Sequence, residues 1–505
     1  MTGRWLPNTV DRSLAAGIVA VTLAALCAVA LVDLPFIHHP DEPTNLAVLH
    51  TMIRDGSSNP EFFNYPSLLF YVNGPGQILA GFLSDGDVEL SVQSMGSAYA
   101  PTVGTMLFAR GTSLAAHIAC VLTVFVFLRT RIALPFAAAG ALLTGLSPLT
   151  LSFAPWMAPD VFATLFVTLC LCATARIVET GSPRDYALAG VFAGLAAASK
   201  YNVGAVALAV AIAAMLAPGG IDVRTRLLAR AALASMVALA LGSPYLFIDM
   251  PHAVSGLILE MHHYRTGHVG AEGETLRFNL RLLGIGMGTA VLFAVAAASD
   301  RALKPIMIFA IAYFCLLSAQ SVRFERNLAP LVPAISILAA IGAARVASRL
   351  PWGRMTASVI AVVLIVPVYT TFDRVLNVTG RKPELARYWI EDVVPADAHV
   401  VAEAYTPFLQ ERDRQVRGVR FAFPGYAPPE RHSYLVLSRS ASLRFAKSEA
   451  TRVAFAQWLA QIDRSACGVS AFPEPGAWRV LVYEMGCDGG GISSSPTLFP
   501  QTPMR

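Results

Sequence analysis

Charged residues are scarce in this chain of 505 residues: Asp, Glu, Lys and Arg make up 14% of it, whereas hydrophobic residues make up 55%. Soluble globular proteins carry roughly 25% charged residues, so this composition argues against an ordinary soluble enzyme. The sequence has no Lys/Arg-rich block with interleaved aromatics, and nucleic acid is therefore not an expected partner. It also has no G-x-x-x-x-G-K-[ST] loop, which argues against chemistry driven by a cytoplasmic nucleotide.

Long apolar segments, nearly free of charge, fill most of the first three quarters of the chain. Each is long enough to cross a hydrocarbon core of about 30 Å as a helix. They predict a polytopic α-helical membrane protein with about eleven transmembrane helices in a module that covers residues 1–372. The predicted spans are 13–32, 106–128, 132–151, 161–178, 186–200, 203–217, 230–248, 280–299, 303–319, 328–344 and 355–372.

The distribution of basic residues predicts the orientation of these spans. Arg129 and Arg131 lie in one predicted loop, Arg345 and Arg349 lie in another, and both loops fall on the same side as the N-terminus. Basic loops of membrane proteins face the cytoplasm. We therefore expect a multi-pass protein of the plasma (inner) membrane, with a cytoplasmic N-terminus and an exoplasmic C-terminal part.

Two large segments are expected on the exoplasmic side. The first, about 33–105, contains "DEPTNLAVLHTMIRDG" and "PSLLFYVNGPGQILAGFL", which suit amphipathic helices lying along the interface. The second, 373–505, combines the strand-like runs "AHVVAEAY", "YLVLS" and "WRVLVYEM" with the helix-like runs "PELARYWIEDV" and "ATRVAFAQWLAQI", and predicts a small α/β domain. Cys467 and Cys487 both fall in this domain, in an oxidising compartment, so a disulfide between them is expected.

Carboxylates lie at two exoplasmic span ends. Asp41 and Glu42 are adjacent and are flanked by Pro40 and Pro43, which restrict the backbone, and Asp160 opens the fourth predicted span. The ordinary interpretation is a pair of solvated acids and a helix N-terminal acid favoured by the helix dipole. The functional interpretation is that Asp41 and Asp160 converge. They would then share a divalent cation such as Mg²⁺ or Mn²⁺, or position a substrate hydroxyl.

The predicted exoplasmic loops also carry cations. The stretch "EMHHYRTGHVG" (260–270) lacks the spacing of a zinc motif and suits binding of a phosphate or a sugar, unless it is an ordinary polar loop. The stretch "SVRFERN" (321–327) offers two arginines, whose planar guanidinium groups suit phosphate oxygens. Arg110 lies in the second predicted span, where a charge is costly and usually functional. The candidate substrate-binding residues are Asp160, Lys200, Tyr65, His262, His263, Arg265, Arg323, Arg326 and Arg110.

Acids and cations on one membrane face, without a nucleotide site on the other, favour an enzyme whose activated substrate arrives through the lipid. Cations would hold the lipid phosphate, and a carboxylate would take a proton from an acceptor hydroxyl as it attacks. The alternative is a transporter or flippase of lipid-linked sugars, for which broken spans in paired halves and charges near the midplane are typical. A non-catalytic scaffold built around the C-terminal domain is a third interpretation.

The stretches "HPDEP…NYPSLLFYV", "ARGTSLAAHIACVL", "LSPLTLSFAPWMAPDVFATLF" and "GLAAASKYNVGAVAL" resemble the GT-C glycosyltransferases of the protein-mannosyltransferase and aminoarabinose-transferase type. The resemblance covers about residues 33–345. It implies an inverting glycosyltransferase that takes its sugar from a polyprenyl-phosphate donor on the exoplasmic face and passes it to a protein, lipid or cell-envelope glycan. Aminoarabinose transferases carry Lys-Pro-Pro where this chain has Asn64-Tyr65-Pro66-Ser67. That difference removes a lysine contact to the donor phosphate and argues against lipid A as the acceptor.

The same resemblance implies roles for individual residues. Asp41 would be the catalytic carboxylate, with Glu42 as its catalytic neighbour, and Asp160 matches the acid of the second exoplasmic loop. Lys200 and Arg323 resemble residues on the phosphate side of the donor, with Arg323 as a clamp on the leaving group. Members of the wider superfamily differ in whether they need a metal, so a cation at Asp41 and Asp160 stays open.

Overall fold

The computed structural model describes residues 9–31, 34, 41–83, 102–267, 269–270, 273–349, 355–379, 384–403, 406, 415–419, 421–427, 432–472 and 480–486. These residues form a large helical part and a small C-terminal sheet. The helices are α1 (Thr9–Ala30), α2 (Asp41–Arg54), α3 (Leu68–Leu83), α4 (Val103–Arg129), α5 (Leu134–Leu146), α6 (Pro148–Leu151), α7 (Pro159–Thr180), α8 (Pro183–Ser199), α9 (Ala207–Leu216), α10 (Ile221–Gly242), α11 (Tyr245–Ile248), α12 (Met250–Thr266), α13 (Thr275–Met287), α14 (Ala290–Ala296), α15 (Lys304–Ser318), α16 (Leu331–Ser348), α17 (Met355–Thr379), α18 (Glu384–Val393), α19 (Arg439–Lys447) and α20 (Arg452–Ser465). Short 3₁₀ turns cover Tyr201–Val206, Arg301–Leu303 and Glu325–Leu328.

Every predicted span overlaps a helix, which confirms a multi-pass helical membrane protein. Within the described residues, six helices are long and apolar enough to cross a membrane, and a seventh crossing is counted if α13 and α14 form one span. That pair bends by 91° between Met287 and Ala290. Several other predicted spans are shorter apolar helices, such as α5 and the segment Tyr201–Leu216. The total of eleven crossings therefore stays a prediction.

One predicted boundary is wrong. The seventh span was expected at 230–248, but α10 covers Ile221–Gly242. Arg224 and Arg226 therefore lie inside this helix rather than before it. Its N-terminal half is mostly exposed, so long basic side chains lie along the helix surface with their charges in water. A prediction from hydropathy alone places the start of the span after most of these charges, and it therefore misses the first turns of the helix.

Helices α8 and α10 approach so closely that only glycine fits at two positions of α8. A Cβ added at Gly190 would lie 2.2 Å from the carbonyl oxygen of Ala231, and one added at Gly194 would lie 2.2 Å from that of Ser235. The spacing is the small-xxx-small pattern that lets membrane helices pack backbone against backbone.

We expect Gly190→Ala to destabilise the protein by about 1–3 kcal/mol, because the two helices must move apart to admit the methyl group. Thermal unfolding in detergent measures this effect. Gly111→Ala is the matched control, since a Cβ at this helical glycine of α4 meets nothing within 4 Å. It is expected to be neutral or slightly stabilising. Equal stability of the two variants would contradict the close packing.

The two helices predicted after the first span are present as α2 and α3. Both acids, Asp41 and Glu42, lie in the first turn of α2, where the helix dipole favours negative charge. Buried side chains then fix α2 to its neighbours: the amide nitrogen of Asn45 donates to the carbonyl oxygen of Met157 at 2.8 Å, and His50 pairs with Gln77 of α3 at 3.1 Å. The start of α2 is thereby held beside the start of α7.

The C-terminal sheet contains five strands within the described residues. They are β1 (His399–Glu403), β2 (Gln415–Val419), β3 (Ser433–Ser438), β4 (Ala466–Phe472) and β5 (Val480–Met485), in the order β2-β1-β3-β5-β4. Strand β1 is parallel to β2 and β3, whereas β5 is antiparallel to β3 and β4. Apolar side chains of α18, α19 and α20 cover the sheet, so this part is a small α/β unit as predicted. Cys467 of β4 is disulfide-bonded, but Cys487 lies outside the described residues, so their pairing stays a prediction.

Glu403 is a buried carboxyl group at the C-terminal end of β1. It is 4% exposed, and its carboxylate oxygens accept the backbone N–H groups of Ala422 at 3.0 Å and Ser438 at 3.1 Å. Burial raises the pKa of this carboxyl from 4.5 to about 7, although the two backbone N–H groups and Arg444 act against the shift.

Because the folded state binds this proton more tightly than the unfolded state, the contribution of Glu403 to the stability of the sheet should be largest below about pH 4.5 and be lost as the pH rises to about 7. The pKa difference corresponds to about 3 kcal/mol. Amide hydrogen exchange of β1 and β3 in the full chain, corrected for the intrinsic rate, measures the loss. Glu403→Gln should abolish the pH dependence in this window, and Asp397→Asn, at an exposed acid, should preserve it. A slope unchanged in Glu403→Gln would assign the effect to another group.

Candidate active site

Asp41 lies at the centre of a polar cluster. The hydroxyl of Tyr65, from the loop before α3, donates to its Oδ2 at 3.1 Å. Nη1 of Arg326, from the 3₁₀ turn before α16, lies 3.1 Å from the same oxygen. The Asp41 side chain is 20% exposed, so it is largely shielded yet still reachable from outside. Two segments of the chain therefore bring a neutral donor and a cation to one carboxylate.

Asp160 extends this cluster from the start of α7. Lys200, which caps the end of α8, donates from Nζ to Oδ1 of Asp160 and to the amide oxygen of Asn327, at 2.7 Å in both cases. Arg326 Nε lies 4.0 Å from the other carboxylate oxygen of Asp160. Arg326 thus bridges Asp41 and Asp160. We call Asp41, Tyr65, Asp160, Lys200 and Arg326 the Asp41 cluster.

The end of α12 supports the turn that carries Arg326. The amide nitrogen of Asn327 donates to the hydroxyl of Tyr264 at 3.3 Å, and the backbone N–H of Ser321 donates to the carbonyl oxygen of Tyr264 at 3.0 Å. The Tyr264 ring also meets Phe324 edge-on at 6.4 Å. Four parts of the chain that are distant in sequence therefore position the guanidinium group of Arg326. Asp41 and Asp160 contact it directly, and Lys200 and Tyr264 hold its neighbour Asn327.

The electrostatics of the cluster keep Tyr65 a hydrogen-bond donor. Burial raises the pKa of Tyr65 well above its ordinary value of 10, and the negative charge of Asp41 adds to this shift. Burial alone would lower the pKa of Arg326, but Asp41, Tyr65 and Asp160 raise it above its ordinary value. The cluster therefore contains two carboxylates and two cations, together with a tyrosine that stays protonated.

Glu42 is adjacent to Asp41 but belongs to a separate buried pair. It is 0% exposed, and both of its carboxylate oxygens accept from Arg110 of α4 at 3.1 Å. The backbone N–H of Met157 donates to Glu42 at 3.2 Å, and Arg110 donates to the carbonyl oxygen of Ala30 at 2.6 Å. This fork-to-fork arrangement ties α1, α2, α4 and the approach to α7 together behind the Asp41 cluster.

The predicted histidine stretch is less closely tied to the site. His262 and Arg265 are exposed near the C-terminal end of α12. His263 lies 3.7 Å from Glu260 and meets the ring of Phe324 edge-on at 6.0 Å. Their roles in substrate binding stay predictions.

Arg323 has different neighbours from Arg326. Its guanidinium lies over the ring of Phe278 at 5.6 Å and packs against Gly273. Its Nε is buried and has no hydrogen-bond partner among the described residues. Of the two arginines in "SVRFERN", Arg326 is therefore the one that contacts the acids. The expectation that Arg323 is the clamp on the leaving group stays a prediction.

The residues present do not fit a divalent cation between Asp41 and Asp160. Arg326 occupies the position between these carboxylates, and Lys200 neutralises Asp160. A metal ion there would be repelled by both cations. Within the described part of the chain, no group of three or more His, Cys, Asp or Glu side chains is arranged to hold a metal.

Sequence reasoning missed two members of the site, Asn327 and Tyr264. Both lie in stretches that were singled out, but neither side chain carries a charge. Their position in the sequence could have indicated them, since Asn327 directly follows Arg326 and Tyr264 directly precedes Arg265. Their contribution becomes visible only through the hydrogen bonds that link α12 to the turn before α16.

A known sequence family matches part of the chain. The family described as dolichyl-phosphate-mannose-protein mannosyltransferase matches residues 102–248. This range includes Arg110, Asp160 and Lys200, whereas Asp41 and Arg326 lie outside it. A search of curated proteins finds no significant sequence match.

Solved structures share the fold over nearly the whole chain. ArnT from Cupriavidus metallidurans bound to undecaprenyl phosphate is 14% identical, with a TM-score of 0.56 over 95% of this chain and 99% of that one. Its apo form gives 15% identity and a TM-score of 0.55 over 94% and 98% of the two chains. The oligosaccharyltransferase AglB from Archaeoglobus fulgidus, in complex with an inhibitory peptide and a dolichol-phosphate, gives 9% identity and a TM-score of 0.50 over 94% and 74%. The resemblance to the GT-C glycosyltransferases is confirmed.

Proposed function

We propose that this protein is an inverting glycosyltransferase that moves a sugar from a polyprenyl-phosphate donor to an acceptor hydroxyl on the exoplasmic side of the membrane. The observation that carries the proposal is the contact of Asp41 with Tyr65 and Arg326, with Arg326 reaching Asp160 and its partner Lys200. It combines a carboxylate able to accept a proton with cations able to hold a phosphate. The fold shared with ArnT, which binds undecaprenyl phosphate, supports the lipid donor.

In the proposed reaction, Asp41 is the general base. It accepts the proton of the acceptor hydroxyl as the hydroxyl oxygen attacks the anomeric carbon of the donor. The bond between that carbon and the phosphate oxygen breaks, and polyprenyl phosphate leaves with the bonding electron pair. Arg326 and Lys200 stabilise the negative charge that develops on the phosphate. Attack opposite the leaving group inverts the configuration at the anomeric carbon.

Glu42 has a positioning role in this proposal rather than a catalytic one. Its carboxylate is fully buried and engaged on both oxygens by Arg110, so a substrate hydroxyl would have to displace a bidentate ion pair to reach it. Because Glu42 follows Asp41 directly in the first turn of α2, its fixation also fixes the base.

The topology belongs to the same proposal. Asp160 lies at the start of α7, Lys200 directly follows the end of α8, and Arg326 lies in the 3₁₀ turn before α16. This arrangement is expected for spans that alternate in direction. The basic residues at the opposite helix ends then face the cytoplasm. On this basis the protein has about eleven spans over 1–372 in the plasma (inner) membrane. Its N-terminus is cytoplasmic, and an α/β domain over 373–505 stands on the exoplasmic side. The acceptor is a protein, a lipid or a cell-envelope glycan.

The experiment that tests the proposal uses the purified full chain in detergent micelles. Polyprenyl-phosphate sugars extracted from the host membrane are added together with a membrane fraction that supplies acceptors. Mass spectrometry then follows the appearance of free polyprenyl phosphate. A transferase releases it from one donor species. A transporter or flippase releases none, because it moves the lipid-linked sugar intact and breaks no bond to the phosphate. This outcome would reject the transferase proposal.

The same assay tests Lys200→Met, which keeps an unbranched side chain of nearly the same length but removes the ammonium group. Loss of the contact to Asp160 and of the charge near the donor should lower the release rate by about tenfold to a hundredfold. Lys447→Met in α19 removes a lysine of the C-terminal part and should leave the rate unchanged within about twofold. Equal rates for both variants would exclude Lys200 from the reaction.

A further inference from the structure

A second pocket lies at the opposite end of the helical bundle from the Asp41 cluster. Helix α7 runs from Asp160 in the cluster to Glu179 in the wall of this pocket, and α16 begins soon after Arg326 and ends beside it. At 1.5 Å per residue, the 22 residues of α7 cover about 33 Å, close to the thickness of a hydrocarbon core. The pocket therefore opens at the far surface of the membrane module.

Two ion pairs line this pocket above an apolar floor. Its volume is about 350 Å³. Arg131 pairs with Glu179 at 2.7 Å, and Arg345 pairs with Asp300 at 2.6 Å. Each pair joins two different helical segments, so the pocket is built where four segments meet. The apolar part of the wall consists of Ile132, Ala302, Leu303, Ile341 and Ala344.

Both guanidinium groups are held in fixed orientations. Arg131 stacks on the ring of Phe127 at 3.8 Å and donates to the carbonyl oxygen of that residue at 3.2 Å. Arg345 donates to the carbonyl oxygens of Ala296 and Ala297 at 3.3 Å. Because these forks are already ordered, an anion that binds to them loses little additional side-chain entropy.

The residues adjacent in sequence to the pocket lining, here called the rim, carry excess positive charge. Arg301, Lys304 and Arg349 are each adjacent in sequence to a lining residue, and all three are exposed. No acidic residue is adjacent in sequence to a lining residue, apart from the lining acids themselves. The two paired arginines are balanced by Glu179 and Asp300, so these three cations give the site a net attraction for anions.

We propose that this pocket binds the phosphodiester headgroup of an anionic phospholipid. The lipid phosphate lies against the basic rim and the oriented guanidinium groups, and the glycerol and upper acyl carbons lie on the apolar floor. Basic pockets between membrane helices on the cytoplasmic side suit such headgroups, and that leaflet supplies anionic lipid. The site is separate from the Asp41 cluster and does not depend on the proposed reaction, but its place on the cytoplasmic side rests on the topology proposed above.

Native mass spectrometry of the full chain tests this assignment. Phosphatidylglycerol or phosphatidylcholine with identical acyl chains is added to the detergent, and the fraction of protein that retains each lipid is measured. The wild type should retain phosphatidylglycerol about tenfold better than phosphatidylcholine.

Two variants alter the pocket by different means. Lys304→Gln with Arg349→Gln removes rim charge, and Ser348→Trp fills the mouth. Each should lower retention of phosphatidylglycerol about tenfold and leave that of phosphatidylcholine unchanged.

The matched control removes two exposed positive charges from the start of α10, as Arg226→Gln with Arg230→Gln. It should change retention by less than about twofold. Equal retention of both lipids by the wild type, or equal losses in the control and the rim variant, would overturn the proposal because binding would then reflect general charge. Complete displacement of phosphatidylglycerol by glycerol 3-phosphate would also overturn it, since the ligand would be a soluble phosphate. Thermal unfolding in pure detergent verifies that each variant is folded.

Discussion

Asp41→Asn is expected to reduce the rate of sugar transfer by about 10²–10⁴-fold while the protein stays folded. The amide keeps the size of the carboxylate and still accepts a hydrogen bond from Tyr65, so the packing of α2 should persist. It cannot take a proton from an acceptor hydroxyl, and that is the step assigned to Asp41. Binding of polyprenyl phosphate should change by only a few-fold, because Arg326 and Lys200 remain. Single-turnover transfer and equilibrium binding of polyprenyl phosphate measure the two effects separately.

The matched control for Asp41→Asn lies directly after the same helix. Asp55 directly follows α2, is about half exposed and pairs with Arg54 at 2.8 Å. Asp55→Asn removes the same chemical group outside the cluster and should leave transfer unchanged within about twofold. If Asp41→Asn transferred sugar at the wild-type rate, the base would be another group, and Asp160 would be the next candidate. If both variants lost activity equally, the loss would report general charge rather than base catalysis.

Arg110→Met is expected to have the largest effect on stability, a loss of about 3–5 kcal/mol. The substitution leaves the Glu42 carboxylate fully buried and without its two guanidinium contacts. It also removes the hydrogen bond to the carbonyl oxygen of Ala30 and the contact with the ring of Trp156 at 4.9 Å. Thermal unfolding in detergent, supported by titration with a denaturing detergent, measures the loss.

A double variant separates the buried charge from lost packing. Glu42→Gln combined with Arg110→Met contains no buried charge, so it should recover most of the stability lost in the single variant. Arg110→Lys should give an intermediate result, because an ammonium group keeps the charge but cannot bind both carboxylate oxygens in a fork. If the double variant were no more stable than Arg110→Met, the loss would come from packing, and the ion pair would not be its cause.

Local patterns were enough to predict many elements of the fold. Helices α2 and α3 follow from helical apolar periodicity between proline- and glycine-rich turns, and β1, β3 and β5 follow from runs of large apolar residues. Strands β2 ("QVRGV") and β4 ("ACGVSAF") were not predicted, because they contain small or polar residues rather than a run of large apolar ones. Each becomes a strand by pairing with a neighbour, β2 with β1 and β4 with β5. Tertiary pairing of this kind leaves little trace in a short sequence window.

The candidate site shows the same division between local and tertiary information. Its acids could be singled out because charge at the end of an apolar span is rare and costly. The partners of these acids could not be singled out in the same way. The resemblance singles out Arg323 as the arginine on the phosphate side. Only the path of the turn before α16 shows that it is Arg326 that contacts Asp41 and Asp160. Likewise, nothing adjacent to Glu42 in the sequence indicates that Arg110, 68 residues away, neutralises it.

The contact between α8 and α10 has a consequence for the reaction centre. Lys200 follows α8 directly, six residues after Gly194, so the lateral position of its ammonium group is set by how deeply α8 seats against α10. Two residues without side chains therefore help to position the Lys200 nitrogen, which lies 2.7 Å from Asp160. A bulkier residue at either glycine would push α8 away from α10 and shift this ammonium group, which the proposed reaction places beside the leaving phosphate, without touching any polar atom of the cluster. In the proposed reaction, the position of Lys200 therefore depends on how closely the backbones of α8 and α10 pack, as well as on the charged groups themselves.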